Sequence, residues 1–188
     1  DQLMAAGDKT ASRAVWLSRI PDWLLPKRLR DIKAAVAVGD YQIAFGAVPD
    51  AADVINTQEW RMAEVPAANG HGTAASLATL YGVLASGGVR GDYHLLTPKT
   101  IGWVTQVHSS GPDGALFGLP YQFGLGYMVD SPMTPISLAK GRFGHSGIGG
   151  EVAFGDCKNQ LGFAFVNNQQ HGLLNLYQTA NQLSKALY

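Results

Sequence analysis

The string Gly144-His145-Ser146-Gly147-Ile148-Gly149-Gly150-Glu151 places an imidazole and a hydroxyl among four glycines, just ahead of an apolar run. An imidazole with an ordinary pKa of about 6.5 is mainly neutral at pH 7 and close enough to its midpoint to handle protons. A serine hydroxyl donates and accepts, so Ser146 can meet a substrate carboxylate or carbonyl. Gly147 carries no side chain, so an extended substrate can come close and pair with the backbone as an added strand would.

A second string, Ser137-Leu138-Ala139-Lys140, has the Ser-x-x-Lys spacing. That spacing works on a helix, where i and i+3 share a face and the lysine can take the serine's proton. Here Pro135 precedes it and Gly141 follows it, leaving little room for a helix, and the match reads as coincidence. His71 reads as part of a helix-capping loop, while His94, His108 and His171 are isolated and form no His-Glu-x-x-His pattern. Cys157 is the single cysteine, which excludes an intrachain disulfide and a cysteine-based zinc site, and it has no nearby base to make it a catalytic thiol. No glycine loop followed by Lys-Ser/Thr opens a helix, and neither a metal nor a cofactor is implied.

The elements that must hold these residues can be read in turn. From Asp1 to about Ile32 the pattern is helical but broken, with Trp16, Leu17, Ile20, Trp23, Leu24 and Leu25 around Pro21 and Pro26. Lys27, Arg28, Arg30 and Lys33 lie among Asp22 and Asp31 and read as a solvated face. Tyr41 to Phe45 suits a short extended segment. Leu77, Leu80, Tyr81 and Leu84 recur at i, i+3, i+4 and i+7 and end in Gly87-Gly88, which predicts an amphipathic helix with a glycine stop. Thr97-Pro98 predicts the capped start of a shorter helix carrying Ile101, Val104 and Val107.

Phe117 to Val166 reads as sheet, with Phe123 to Val129 one strand and a turn-rich stretch from Asp130 to Gly141. Glu151 to Phe154 and Leu161 to Val166 form a hairpin across Gly155 to Gln160. The second of these strands is apolar on both faces, as a strand covered by helices would be. Leu173, Leu176, Tyr177, Ala180, Leu183 and Leu187 predict a C-terminal helix packed on the sheet.

This order, a helix entered through Asn69-Gly70-His71-Gly72-Thr73, then Leu95-Leu96-Thr97-Pro98, Gly124-Leu125-Gly126-Tyr127, Phe143-Gly144-His145-Ser146-Gly147, a hairpin and a terminal helix, resembles the C-terminal half of the serine β-lactamase-like superfamily. The likeness is to the branch joining class C β-lactamases to related esterases, and it covers residues 65–188. It implies an α/β (α+β) sandwich, an antiparallel sheet flanked by helices, of which this chain is an incomplete C-terminal portion. It also implies hydrolysis through an acyl-enzyme, with a Ser-x-x-Lys nucleophile, a Tyr-x-Asn motif and a third motif, Lys-Thr-Gly or a variant, on the strand lining the cleft. His145-Ser146-Gly147 matches the third motif, and Tyr-x-Asn is absent from the chain.

By that likeness His145 is catalytic, the Ile148 N–H is one of two oxyanion donors, and Ser146, Gly147 and Gly149 bind substrate. Histidine in place of lysine removes a fixed cation, which favours neutral ester or acyl substrates over carboxylate-bearing ones.

Length and composition set the bounds. At 188 residues, 46% hydrophobic and 15% charged, the chain suits one folded domain, residues 1–64 irregular or helical and 65–188 carrying the sheet. Balanced charges, 14 Lys+Arg against 14 Asp+Glu, argue against a nucleic-acid binder. No apolar run approaches the roughly 20 residues of a membrane-spanning helix, and no signal-peptide pattern is present, so the compartment stays open. The chain begins at Asp1 and a complete domain of the resembled family is about twice as long, so truncation, processing or a second polypeptide is expected. Without the other half, the sheet would keep an open edge and an uncovered apolar face, which a partner chain or a second copy should cover. The alternative to an enzyme is a non-catalytic binding or scaffold protein of the same fold.

Overall fold

The computed structural model describes residues 20–27, 29–30, 33, 54, 56–66, 68–116, 118–169 and 175–188. The segment expected at Tyr41 to Phe45 lies outside these residues, as do Trp16, Leu17, Arg28, Asp31, Phe117, His171 and Leu173. The chain divides into two compact units, one of residues 1–71, 112–119 and 168–170, the other of residues 72–111, 120–167 and 171–188.

In the first unit, a single 3-10 turn spans Asp22–Leu24, and Leu25 is buried beside it. Lys33 Nζ pairs with Asp22 Oδ1 at 2.7 Å and donates to the Ile20 carbonyl at 2.7 Å, so this member of the basic cluster serves its own segment. Helix α1 (Gln58–Met62) is capped by Thr57, whose side chain accepts from the Trp60 N–H. Asn69 closes the segment by donating to the carbonyls of Trp60 and Ala63 and accepting from the Val65 N–H.

The second unit begins with helix α2 (Ala74–Ala85), where Thr73 and Ser76 satisfy each other's backbone N–H groups in a capping box. The helix ends before Gly87 and Gly88, as its periodicity predicts. Strands β1 (Val89–Arg90) and β2 (Tyr93–His94) form a small antiparallel ladder. Helix α3 (Pro98–Val104) starts at the Thr97 cap with Pro98 in its first turn, and it stops short of Val107, which is exposed.

Six strands follow: β3 (Ser109–Asp113), β4 (Leu119–Phe123), β5 (Met128–Asp130), β6 (Arg142–Ser146), β7 (Val152–Asp156) and β8 (Leu161–Phe165). They form one sheet in sequence order, antiparallel from β4 to β8. The expected continuous strand from Phe123 to Val129 is instead a tight hairpin. Gly124 donates to the Tyr127 carbonyl, Gly126 takes a φ of +83°, and Phe123 pairs with Met128.

A 3-10 helix over Pro135–Leu138 fills the turn-rich stretch, and helix α4 (Gln178–Lys185) closes the chain. Helix α4 is shorter than the leucine spacing suggests. It buries Ala180 and Ser184, while Leu183 and Leu187 face outward.

The core lies between α2 and the sheet, where Tyr81, Leu84, Ala85 and Ile101 pack on Phe143 and Ala153. Helix and sheet meet closely at Gly162 of β8, where an added Cβ would overlap the Ala78 carbonyl and the Gly82 backbone of α2. Strand β8 is an edge among the described residues and its side chains are half-buried, so it is covered less completely than its two apolar faces predict.

Candidate active site

Alternation along β6 distributes its side chains over two faces. Phe143 packs on Tyr81 of α2 at a ring distance of 6.0 Å, whereas Arg142 reaches Ser184 of α4. His145 therefore shares the α2 face and Ser146 the α4 face. Gly144 sits where an added Cβ would overlap the Ala153 carbonyl of β7, so the strand pair is tight immediately before the motif.

His145 is exposed, and its Nδ1 lies 2.9 Å from the Ser146 carbonyl. A carbonyl only accepts, so a neutral imidazole here carries its proton on Nδ1 and leaves Nε2 as the acceptor. The Ser146 hydroxyl is half-buried and points at the Met128 sulfur, 3.6 Å away.

After Ser146 the chain turns sharply. The Gly147 N–H donates to the Glu151 carbonyl at 2.7 Å and the Gly150 N–H to the Gly147 carbonyl at 3.1 Å. Among the described residues, no backbone carbonyl takes the N–H of Ile148, whose side chain is 58% exposed. An added Cβ on Gly147 would stand 2.6 Å from Glu151 Oε2, so the Glu151 carboxylate occupies the place a side chain here would take. Gly149 is buried beneath the turn, with its carbonyl taken by the Asn167 side-chain amide at 2.9 Å.

Two residues that sequence reading left unassigned thus join the motif. Tyr177, placed there only as part of a helical apolar stripe, donates from its hydroxyl to the Gly147 carbonyl at 3.1 Å. Burial pushes its phenol above the ordinary value; the Ser146 hydroxyl pulls the other way and the Glu151 charge adds to the rise, so the proton stays on Tyr177 at neutral pH. Asn167, just beyond β8, carried no sequence signal at all.

The other candidates fall away for stated reasons. Tyr81 is pushed up to about 12 by burial and then by Tyr127, and Tyr127 and Tyr188 are also raised, by burial first, so none of these is poised as a base. Ser137 and Lys140 do not share a helical face, because the 3-10 helix ends at Leu138 and Ala139 is extended. The Ser137 hydroxyl donates to the Thr134 carbonyl instead. A cleft of about 460 Å³ over β3–β5 is lined by Tyr121, Gln122, Asp130 and Ser137 and by no motif residue.

His108 is spent on the Trp103 carbonyl, and His71 and His94 are exposed. Cys157 is exposed as a residue, yet partial desolvation of its sulfur and then the Asp156 charge push its thiol up, away from reactivity. Among the described residues no three His, Cys, Asp or Glu side chains cluster as metal ligands, and no helix is long and apolar enough to cross a membrane.

Known proteins resemble this chain in sequence and in fold. The chain is 36% identical over 108 residues to "Esterase/beta-lactamase LipL" of Mycobacterium tuberculosis (strain ATCC 25618 / H37Rv), covering 57% of this chain and 24% of that protein. A family VIII carboxylesterase structure matches 76% of the chain with 30% identity and a TM-score of 0.63. A penicillin-binding protein homologue from Caulobacter crescentus matches 77% of it with 32% identity and a TM-score of 0.62. In each solved structure the matched part is 40% of the whole, so the chain spans less than half the length of these relatives. The sheet-and-helix architecture is theirs, and since the beta-lactamase family model matches residues 6–186, the chain belongs to the beta-lactamase family.

Proposed function

We propose that this chain supplies one wall of the active site of a serine hydrolase of the esterase or β-lactamase type, working through an acyl-enzyme. The nucleophilic Ser-x-x-Lys serine lies on polypeptide outside these 188 residues, within the same domain. Its hydroxyl attacks the substrate carbonyl, the resulting oxyanion is held by the Ile148 N–H and the serine's own N–H, and collapse releases the alcohol or amine. Water then hydrolyses the acyl-enzyme. Donors of this kind are worth about 3 kcal/mol each.

The observation that supports the reading best is the position of His145-Ser146-Gly147 at the end of the central strand β6, followed by a turn in which no backbone carbonyl among the described residues takes the Ile148 N–H. In this reading His145 and Ser146 flank the acyl site from the two faces of β6, Gly147 admits the substrate backbone, and Gly149 supports the wall from beneath. With histidine, which lacks lysine's permanent charge, where the family often carries lysine, esters or other neutral acyl compounds are the preferred substrates.

Serine-directed fluorophosphonate labelling with peptide mapping tests the assignment. The whole protein should be labelled outside residues 1–188, and this chain alone should stay unlabelled. Labelling at Ser137 or Ser146 would overturn the assignment of the nucleophile, and a whole protein that takes no label would favour a non-catalytic binding role.

A further inference from the structure

The C=O of Gly147 and the N–H of Ile148 belong to one planar peptide unit and point in opposite directions across it. Whatever grips the carbonyl therefore aims the N–H. Within the turn the Gly150 N–H holds this carbonyl at 3.1 Å, but Gly147, Gly149 and Gly150 leave the backbone on either side conformationally free. A second grip comes from distant chain: the Tyr177 hydroxyl holds the Gly147 carbonyl at 3.1 Å, and the Asn167 amide holds that of Gly149 at 2.9 Å.

Both holders are firmly set. Tyr177 is 8% exposed and stands at the N-terminal end of α4, whose Ala180 and Ser184 are fully buried. Asn167 is half-buried, and its Oδ1 has no hydrogen-bond partner among the described residues, an arrangement that costs stability.

We infer that Tyr177, assisted by Asn167, is a positioning residue that fixes the Gly147–Ile148 peptide plane and turns the Ile148 N–H toward the developing oxyanion. The inference rests on the serine-hydrolase reading and adds to it. Hydrogen bonds accepted by the Gly147 carbonyl also polarise the peptide, making the Ile148 N–H a better donor.

The test compares Tyr177→Phe with Tyr188→Phe in the whole protein, measuring kcat and KM for a nitrophenyl ester together with Tm. Tyr188 is the matching phenol beyond the other end of α4, where it donates to Asp156 Oδ2 at 2.6 Å, away from the motif. Losing one oxyanion donor outright costs about 100-fold or more, so a mis-aimed donor should lower kcat at least about tenfold while KM stays within about twofold. Tyr188→Phe should lower Tm and spare kcat.

Should Tyr177→Phe fail to fold, Asn167→Ala at its half-buried site is expected to give the same kcat-selective loss, smaller in size. A Tyr177→Phe protein that keeps its kcat, or an Asn167→Ala protein that keeps it where Tyr177→Phe does not fold, overturns the inference and leaves the hydrolase reading intact. A wild-type whole protein that neither turns over the ester nor takes fluorophosphonate overturns both.

Discussion

Strands β6 and β7 are clasped at both ends by tyrosines from one C-terminal segment, yet the two ends are built to opposite plans. At one end Ser146 pairs with Val152, the chain turns through glycines, the side chains of His145, Ser146, Ile148 and Glu151 are exposed or half-buried, and Tyr177 grips a carbonyl. At the other end Arg142 pairs with Asp156, with both side chains buried and their charges 3.4 Å apart. Arg142 also donates to the Pro135 carbonyl at 2.7 Å and lies between the rings of Phe154 and Tyr188, 4.8 and 4.6 Å from their centres. Asp156 accepts from Tyr188, from the Asn159 side chain and from the N–H groups of Lys158 and Asn159. One end satisfies every charge internally and locks the hairpin; the other leaves donors and acceptors turned outward. A substitution should therefore move activity at the first end and stability at the second.

The largest effect expected is at Gly147. A valine there must displace the Glu151 carboxylate and tilt the adjoining peptide, carrying the Ile148 N–H out of line. Gly147→Val should lose about 100-fold or more in kcat/KM, the scale of one oxyanion donor, with Tm nearly unchanged. A variant that keeps its activity and melts earlier would erase the contrast between the two ends and remove Gly147 from the cleft wall.

Asp156→Asn probes the opposite end. It leaves the Arg142 cation buried without its counter-charge, and breaking a buried pair in this way costs about 3 kcal/mol. Thermal unfolding should show the loss while kcat and KM hold. Burial opposes ionisation of Asp156, but the hydrogen bonds from Tyr188, Asn159 and Arg142 prevail and hold its carboxyl down to about 2, from an ordinary 3.8. A folded-state value below the unfolded one stabilises fully above the ordinary value and fades as pH falls toward the lowered one. Wild type should thus lose stability between about pH 4 and pH 2, by about 2 kcal/mol, through this group, and Asp156→Asn should lack that portion of the acid limb. An unchanged acid profile would show that the pair does not anchor this end.

How much of this could be read from the sequence followed the range of the interactions. Helices α2 and α3 were legible because their signals are local: Thr73 and Thr97 each cap within three residues, and Pro98 presets the first turn. The β4–β5 hairpin was not, because Phe123, Leu125, Tyr127 and Val129 alternate as a single strand would, and the turn depends on a left-handed Gly126. The motif was visible as a string, but its clasp was not: Tyr177 stands 30 residues from Gly147, and helical spacing assigned it to an apolar face. The Arg142–Asp156 pair had a usable signal. The two residues are equidistant in sequence from Gly149, so a hairpin centred on that glycine brings them opposite each other, as the register confirms.

The smallest effect belongs to His145, and its size follows from exposure. His145→Lys introduces a permanent cation on the strand end beside the proposed acyl site, where it can attract a substrate carboxylate. Because the position is open to water, the attraction is screened, and unit charges about 4 Å apart in water gain only about 1 kcal/mol, close to fivefold in rate. The comparison to make is kcat/KM for a neutral nitrophenyl ester against that for an anionic β-lactam, in wild type and variant. The ratio should move about fivefold toward the β-lactam, and the shift should shrink as salt is raised, since the screening length falls from about 10 Å at 0.1 M to about 3 Å at 1 M. Tm should stay put, because His145 is exposed and, among the described residues, its ring hydrogen-bonds only to its neighbour's carbonyl. A ratio that does not move would take His145 off the substrate-facing wall and leave Ser146, Gly147 and the Ile148 N–H to account for the site alone.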